Sequence, residues 1–327
     1  MKKYDFVALG DITTDAFIRI KDADVHMNHG NKELCFRFGD KIPYEFVRVI
    51  SAVGNSPNAA VSAARLGLSS SVITNIGADE NGRDCLASLA KNNVSTDAVT
   101  THNGKVTNYH YVLWYKAERT ILIKHEEYDY ALPQMEPPSW LYLSSLGENS
   151  LAHHHEIAKY VKENNIRLAF QPGTFQIHLG YEKLKDIYQA AEVFFCNKEE
   201  AQRILETKED DIKDLLQLMH ERGPHIVCIT DGPNGSYAYD GTEAWMHPMY
   251  PDPAPPVDRT GAGDSFSSTF TIALGKGKSV KEALAWGPVN SMSVVQHIGA
   301  QEGLISQKQL KKYLDEAPEH YKPKKII

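Results

Sequence analysis

The sequence predicts an α/β fold: a central, mostly parallel sheet with helices on both faces, and a second, small β-sheet attached to it. Three observations predict it. Short apolar runs alternate with helical patterns along most of the chain, the rhythm of parallel strands joined by crossover helices. Two stretches, about 16–50 and 106–126, break that rhythm with short alternating pieces and polar turns, which reads as one small sheet drawn from both. Farther on, a glycine-rich turn, Gly261-Ala262-Gly263-Asp264, opens a helical pattern at Phe266, Phe270, Ala273 and Leu274. With 327 residues and 42% hydrophobic content, the chain can bury a sizeable core and has room for one large or two small domains; the strand-helix rhythm along most of it favours residues 1–327 as one domain with the small sheet as an insert.

The elements follow in order. Tyr4–Gly10 is an apolar run ending in glycine, a buried strand. Asp11 and Asp15 lie just beyond it, where open α/β sheets bind ligands; as residues alone they are equally turn carboxylates. Ala16–Ile20, Leu34–Phe38 and Phe46–Ile50 form the first set of small strands, and Asn108–Lys124 the second. Gly54-Asn55-Ser56-Pro57-Asn58 starts a helix running to Gly67, with Ser56 as cap and Pro57 at the first helical position. Asn55 and Asn58 thus sit at a helix N-terminus, where capping alone would explain them. Ser70–Gly77, Trp140–Ser144, Ile166–Phe170, Val193–Cys196 and Ile226–Thr230 read as strands. Glu80–Asn92, Ser150–Asn164, Asn197–Glu206 and Asp211–Arg222 read as helices. His153-His154-His155 starts one of them, and consecutive helical residues point different ways, so a solvated face is expected instead of a metal cluster. Asn197 and Glu200 have the spacing of a capping pair. Thr230 to Gly235 is a glycine turn into the strand Ser236–Tyr239, and a long helix covers about Val280–Val295. Gly275-Lys276-Gly277-Lys278-Ser279 is not a Walker A loop, because Ile272 stands where its first glycine belongs and the run follows a helix.

Composition narrows the function. A net charge of −7 argues against a nucleic-acid surface. No apolar run approaches the roughly 20 residues of a membrane span. Cys35, Cys85, Cys196 and Cys228 are scattered, with no C-x-x-C pair, as expected of free thiols in a cytoplasmic protein. The chemistry concentrates at the glycine turn. Unpaired amides and the positive end of the helix dipole make it an anion site. A carboxylate beside a bound anion would repel it, so Asp264 either accepts the proton of an attacking hydroxyl or is only an N-terminal carboxylate at a glycine-turn helix start.

Asp258-Arg259-Thr260-Gly261-Ala262-Gly263-Asp264 resembles the C-terminal signature of the ribokinase-like (PfkB) carbohydrate and nucleoside kinases, with Arg259 where Thr is commoner. Gly54, Asn55, Asn58, Ala60, Ala64, Leu66 and Gly67 are similar to the N-terminal signature, with Val53 replacing its first glycine. Asn197-Lys198-Glu199-Glu200 resembles the N-x-x-E motif, and Thr230, Gly232 and Gly235 the T-x-G-x-x-G loop. The resemblance implies a three-layer α/β/α sandwich in which the small sheet is a lid over the substrate and, in several members, a dimer contact. It implies an ATP- and Mg²⁺-dependent kinase acting on a hydroxymethyl group of a sugar. Asp264 would be the base and Gly261, Ala262 and Gly263 the anion hole. Asp15, Gly54, Asn55, Asn58 and Asp11 would bind the acceptor, and Asn197, Thr230, Gly232, Gly235 and Asn290 the nucleotide. Glu200 would manage Mg²⁺ through water. Carbonyls near Asp258, Thr260 and Ala300 could hold a monovalent cation such as K⁺. The alternatives are a nucleoside kinase, a sugar-phosphate kinase using Arg48, Lys116 or Arg119, or a non-catalytic binding protein of the same fold.

Overall fold

The computed structural model describes residues 3–116 and 118–327. Eight parallel strands form most of the central sheet, in spatial order Ile226–Thr230, Ala191–Asn197, Arg167–Phe170, Trp140–Leu143, Phe6–Leu9 and Ser70–Gly77, the last pairing with both Val94–Ser95 and Val99–His102. An antiparallel edge, Ser236–Tyr239, Ala244–His247 and Lys324–Lys325, continues it. Successive side chains of a strand point to opposite faces. Phe6, Ala8, Trp140 and Tyr142 therefore enter one apolar layer, and Val7, Leu9, Leu141 and Leu143 the other. Helices Asn55–Arg65, Ala262–Gly275 and Val280–Val294 cover the first face, and Leu151–Glu163, Tyr181–Ala190 and Ile212–His220 the second. These are the three layers expected.

The small sheet is separate. Its order is Glu118–Leu122, Asn108–Tyr115, Thr13–Ile20, Tyr44–Val53, and the pairing of Thr13–Ile20 with Asn108–Tyr115 is parallel. Both predicted stretches contribute to it, and a hairpin, Asp24–Asn28 with Asn31–Cys35, projects from it.

Three expectations change. The helix expected to begin at Ser56 and Pro57 begins at Asn55, with Gly54 as N-cap at φ 118° and no side-chain cap; Ser56 Oγ instead lies 2.6 Å from Ser144 Oγ. His153 and His154 are buried, and only His155 faces out, toward Asp186. His154 shares a stripe with Ile157, Ala158 and Val161 at helical spacing, its Nδ1 lies 2.8 Å from the Ser150 carbonyl oxygen, and burial lowers its pKa to about 4. Helices Thr174–Leu179, Tyr181–Ala190 and Gln307–Asp315 carry no expectation from the sequence. Among the described residues no helix is long and apolar enough to cross a membrane.

Candidate active site

The parallel strands end along one edge, which brings Asp11, Ser145, Gln171, Asn197 and Thr230 into line. Helix Ala262–Gly275 aims its N-terminus across that edge. Its N-cap, Gly261, has φ 81°, and a Cβ there would lie 2.2 Å from the Ala300 Cβ, so only glycine fits. Gly263 is different: a Cβ would meet only Gln171 Nε2, at 3.9 Å. Its open side leaves room for a ligand against the backbone.

Three amides converge on Asp264. Asn55 Nδ2 donates to Oδ1 at 2.8 Å, Asn58 Nδ2 to Oδ2 at 2.8 Å, and Gln171 Nε2 to Oδ1 at 3.0 Å. Two of these amides are oriented from behind. Gln301 Nε2 donates to Asn58 Oδ1 at 2.9 Å. The hydroxyls of Tyr142 and Ser267 donate to Gln171 Oε1, the latter at 3.0 Å. An amide whose oxygen is engaged can present only its NH₂ to the carboxylate. Burial pushes the Asp264 carboxyl above the usual carboxylate range, and the donors from Asn58, Gln171 and Asn55 oppose that rise. The group is therefore more basic than an exposed aspartate.

Two cavities meet at this turn. One, of about 280 Å³, is lined by Asp15, Asn55, Asn58 and Asp264 together with His110, His125, Phe175, Ile121 and Ile123; Gly54 and Thr260 also line it. Parallel pairing sets His110 beside Asp15, with Nδ1 3.4 Å from Oδ1. Asp15 Oδ1 and His110 Nε2 are buried without a hydrogen-bond partner, as polar groups reserved for a ligand would be. Asp11 does not line the cavity. Its carboxylate accepts from the Tyr130 hydroxyl at 3.0 and 3.1 Å and pairs with His125 Nδ1 at 2.9 Å, which braces His125 from behind.

The other cavity, about 230 Å³, runs between the Thr230–Gly235 turn and helix Val280–Val294. Thr230, Gly232, Gly235, Met249, Pro288 and Met292 line it, and it reaches Ala262 and Gly263. Asn290 is not part of it. That side chain is fully buried, donating to Thr269 Oγ1 at 2.8 Å and accepting from the Ile305 amide at 3.1 Å, while Ser291, one residue on, faces the cavity. Asn197 and Glu200 form a capping box: Glu200 Oε2 accepts from the Asn197 amide at 2.9 Å, and Asn197 Oδ1 from the Glu200 amide at 2.8 Å. Burial raises the Glu200 pKa, and the charge of Asp264 adds to the rise.

Sequence reasoning missed Gln171, Tyr142, Ser267, Gln301, His110 and His125. Gln171 had a signal, since it directly follows a strand at the ligand edge. The others come together through contacts between distant segments, which no local pattern encodes.

The pfkB family carbohydrate kinase model matches residues 34–307. A ribokinase of Bacillus subtilis is 27% identical over 271 residues, covering 80% of this chain and 87% of its own. A ribokinase of Arabidopsis thaliana, solved with ribose and ATP, superimposes with a TM-score of 0.80 at 20% identity, covering 96% of this chain and 99% of its own. A nucleoside kinase of Methanocaldococcus jannaschii does so with 0.78 at 18% identity, covering 97% and 100%. The chain belongs to the pfkB family of carbohydrate kinases, and it has the ribokinase fold.

Proposed function

We propose that this pfkB-family kinase transfers the terminal phosphoryl group of ATP to a hydroxymethyl group of an unphosphorylated sugar. The observation that carries the reading is the meeting of two cavities at Gly261–Asp264, with the amide-held carboxylate on the larger side. ATP would lie in the smaller, largely apolar cavity, its phosphates over the amides of Gly261, Ala262 and Gly263. The acceptor would lie in the larger, its hydroxyls on Asp15, Asn55, Asn58 and the backbone near Gly54. As the acceptor oxygen forms its bond to phosphorus, its proton passes to Asp264, the bond to the bridging oxygen breaks, and ADP leaves. The turn amides stabilise the charge developing on the transferring group.

Mg²⁺ suits this arrangement as a partner of the phosphates. Among the described residues no three His, Cys, Asp or Glu side chains group to hold a metal directly, but magnesium takes few protein ligands and keeps several waters. Glu200 fits such an outer position, since the charge of Asp264 already weighs on it and a cation would relieve both. The small sheet acts as a lid that excludes water. Exposed Tyr44, Val47, Val49, Tyr111 and Leu122 give that sheet an apolar outer surface, which supports a homodimer through the lid. Four free thiols support a cytoplasmic location.

A nucleoside acceptor is the second reading, favoured by Phe175, His110 and His125 on one wall, where a planar base could pack. A phosphorylated sugar is disfavoured. Among the described residues no lysine or arginine lines the acceptor cavity; Arg48 pairs with Glu302, Arg119 with Asp258, and Lys116 lies over the Tyr115 ring. ADP release measured across neutral sugars, nucleosides and sugar phosphates tests the reading. Turnover is expected with a neutral acceptor and not with the phosphates; turnover with sugar phosphates alone would overturn it.

A further inference from the structure

Asp258 begins the loop that becomes the anion turn, and its side chain has no exposure to solvent. Both oxygens knit the turn together. Oδ1 accepts from the Thr260 amide at 2.9 Å, and Oδ2 from the Gly299 amide at 2.9 Å, while Ala300, next in the chain, packs on Gly261. A buried carboxylate requires a countercharge. Here that charge is Arg119, whose Nε lies 2.8 Å from Asp258 Oδ1 with the side chain 9% exposed, and whose Nη2 donates to the Val257 carbonyl at 2.9 Å.

Arg119 belongs to the small sheet, not to the loop. In the strand Glu118–Leu122 it stands opposite Trp114, which in turn stands opposite Arg19 on the next strand. Both guanidinium groups lie against the indole, 4.6 and 4.5 Å from its centroid, so the ring holds Arg119 in place. An alkali cation at Asp258 does not fit this arrangement. It would sit beside a fixed guanidinium, on a carboxylate whose oxygens already accept two amides and one ion pair.

We propose that Arg119 takes the place of a bound monovalent cation beneath the anion turn, so that the small sheet, not potassium, organises the phosphate-binding loop. Arg119 is a positioning residue: it acts on the turn through Asp258. The proposal rests on reading this turn as the phosphate site, but its test does not depend on turnover. Hydrogen exchange of the amides of Thr260 and Gly299 is measured on the full chain in potassium chloride and in choline chloride of equal ionic strength. The wild type is expected to be the same in both salts. Arg119→Ala is expected to exchange about tenfold faster or more at these amides in choline, with protection partly restored by potassium. Arg19→Ala, which removes the other guanidinium from Trp114, should leave both amides protected. Should Arg119→Ala fail to fold, Arg119→Lys keeps the charge but not the fork and is expected to show a weaker version of the same potassium response. A potassium effect on the wild type, or none on the Arg119 variant measured, would overturn the proposal.

Discussion

The two cavities share the Gly261–Asp264 turn and differ in how the chain builds everything else. The smaller is lined by loop segments and the faces of two helices and is mostly apolar. The larger is assembled from strand ends, a helix start and the small sheet, and its central contacts join residues 209, 206 and 93 positions apart. A site that grips a constant donor can be encoded in short motifs. A site that must keep one carboxylate ionised, oriented and more basic than usual needs donors converging from several directions, and only tertiary structure supplies those.

The comparison predicts separable damage. The largest effect is expected from Gly261→Ala, which forces a side chain to φ 81° and into Ala300. Left-handed strain and overpacking together cost about 2–5 kcal/mol, so the variant should melt lower and bind an ATP analogue at least about tenfold more weakly; wild-type binding would show that the turn is not the phosphate site. Next comes Asp15→Ala, confined to the larger cavity. Loss of a hydrogen bond to a charged group costs about 1.5–3 kcal/mol, so KM for the acceptor should rise about 10- to 150-fold with KM for ATP unchanged, and equal changes in both would erase the distinction between the cavities. The smallest effect is expected from Gln171→Ala, read in a pH profile. The base works ionised, so activity falls as pH drops through its raised pKa. Gln171 lowers that pKa, and its removal should move the acid limb of kcat to higher pH while the plateau changes little. A limb that stays put would mean Gln171 does not act on Asp264.

The sequence carried most of the fold, because buried strands and amphipathic helices announce themselves locally. Helix Tyr181–Ala190 was readable too, from Leu184, Ile187 and Tyr188 at helical spacing. So was the burial of His154, which completes a stripe with Ile157, Ala158 and Val161. The candidate site was legible where it is contiguous: Asp264, Asn55, Asn58 and Asp15 do share one cavity. Asn290 could not be placed, because neighbouring residues of one helix face core and cleft in turn. Arg119 and Gln171 could not be assigned to the turn either, since Arg119 reaches it from the small sheet and Gln171 from the end of a central strand.

The most direct measurement is kcat for Asp264→Asn beside an independent dissociation constant for an ATP analogue, with circular dichroism to confirm folding. The substitution keeps the shape and removes the proton acceptor. A loss of about 10²–10⁴ in kcat is expected with nucleotide affinity unchanged or tighter, because a charge that repels the phosphates has gone. Turnover above about a tenth of wild type, well outside that range, would contradict it, and Asp264 would then be no more than a helix-start carboxylate held by three amides.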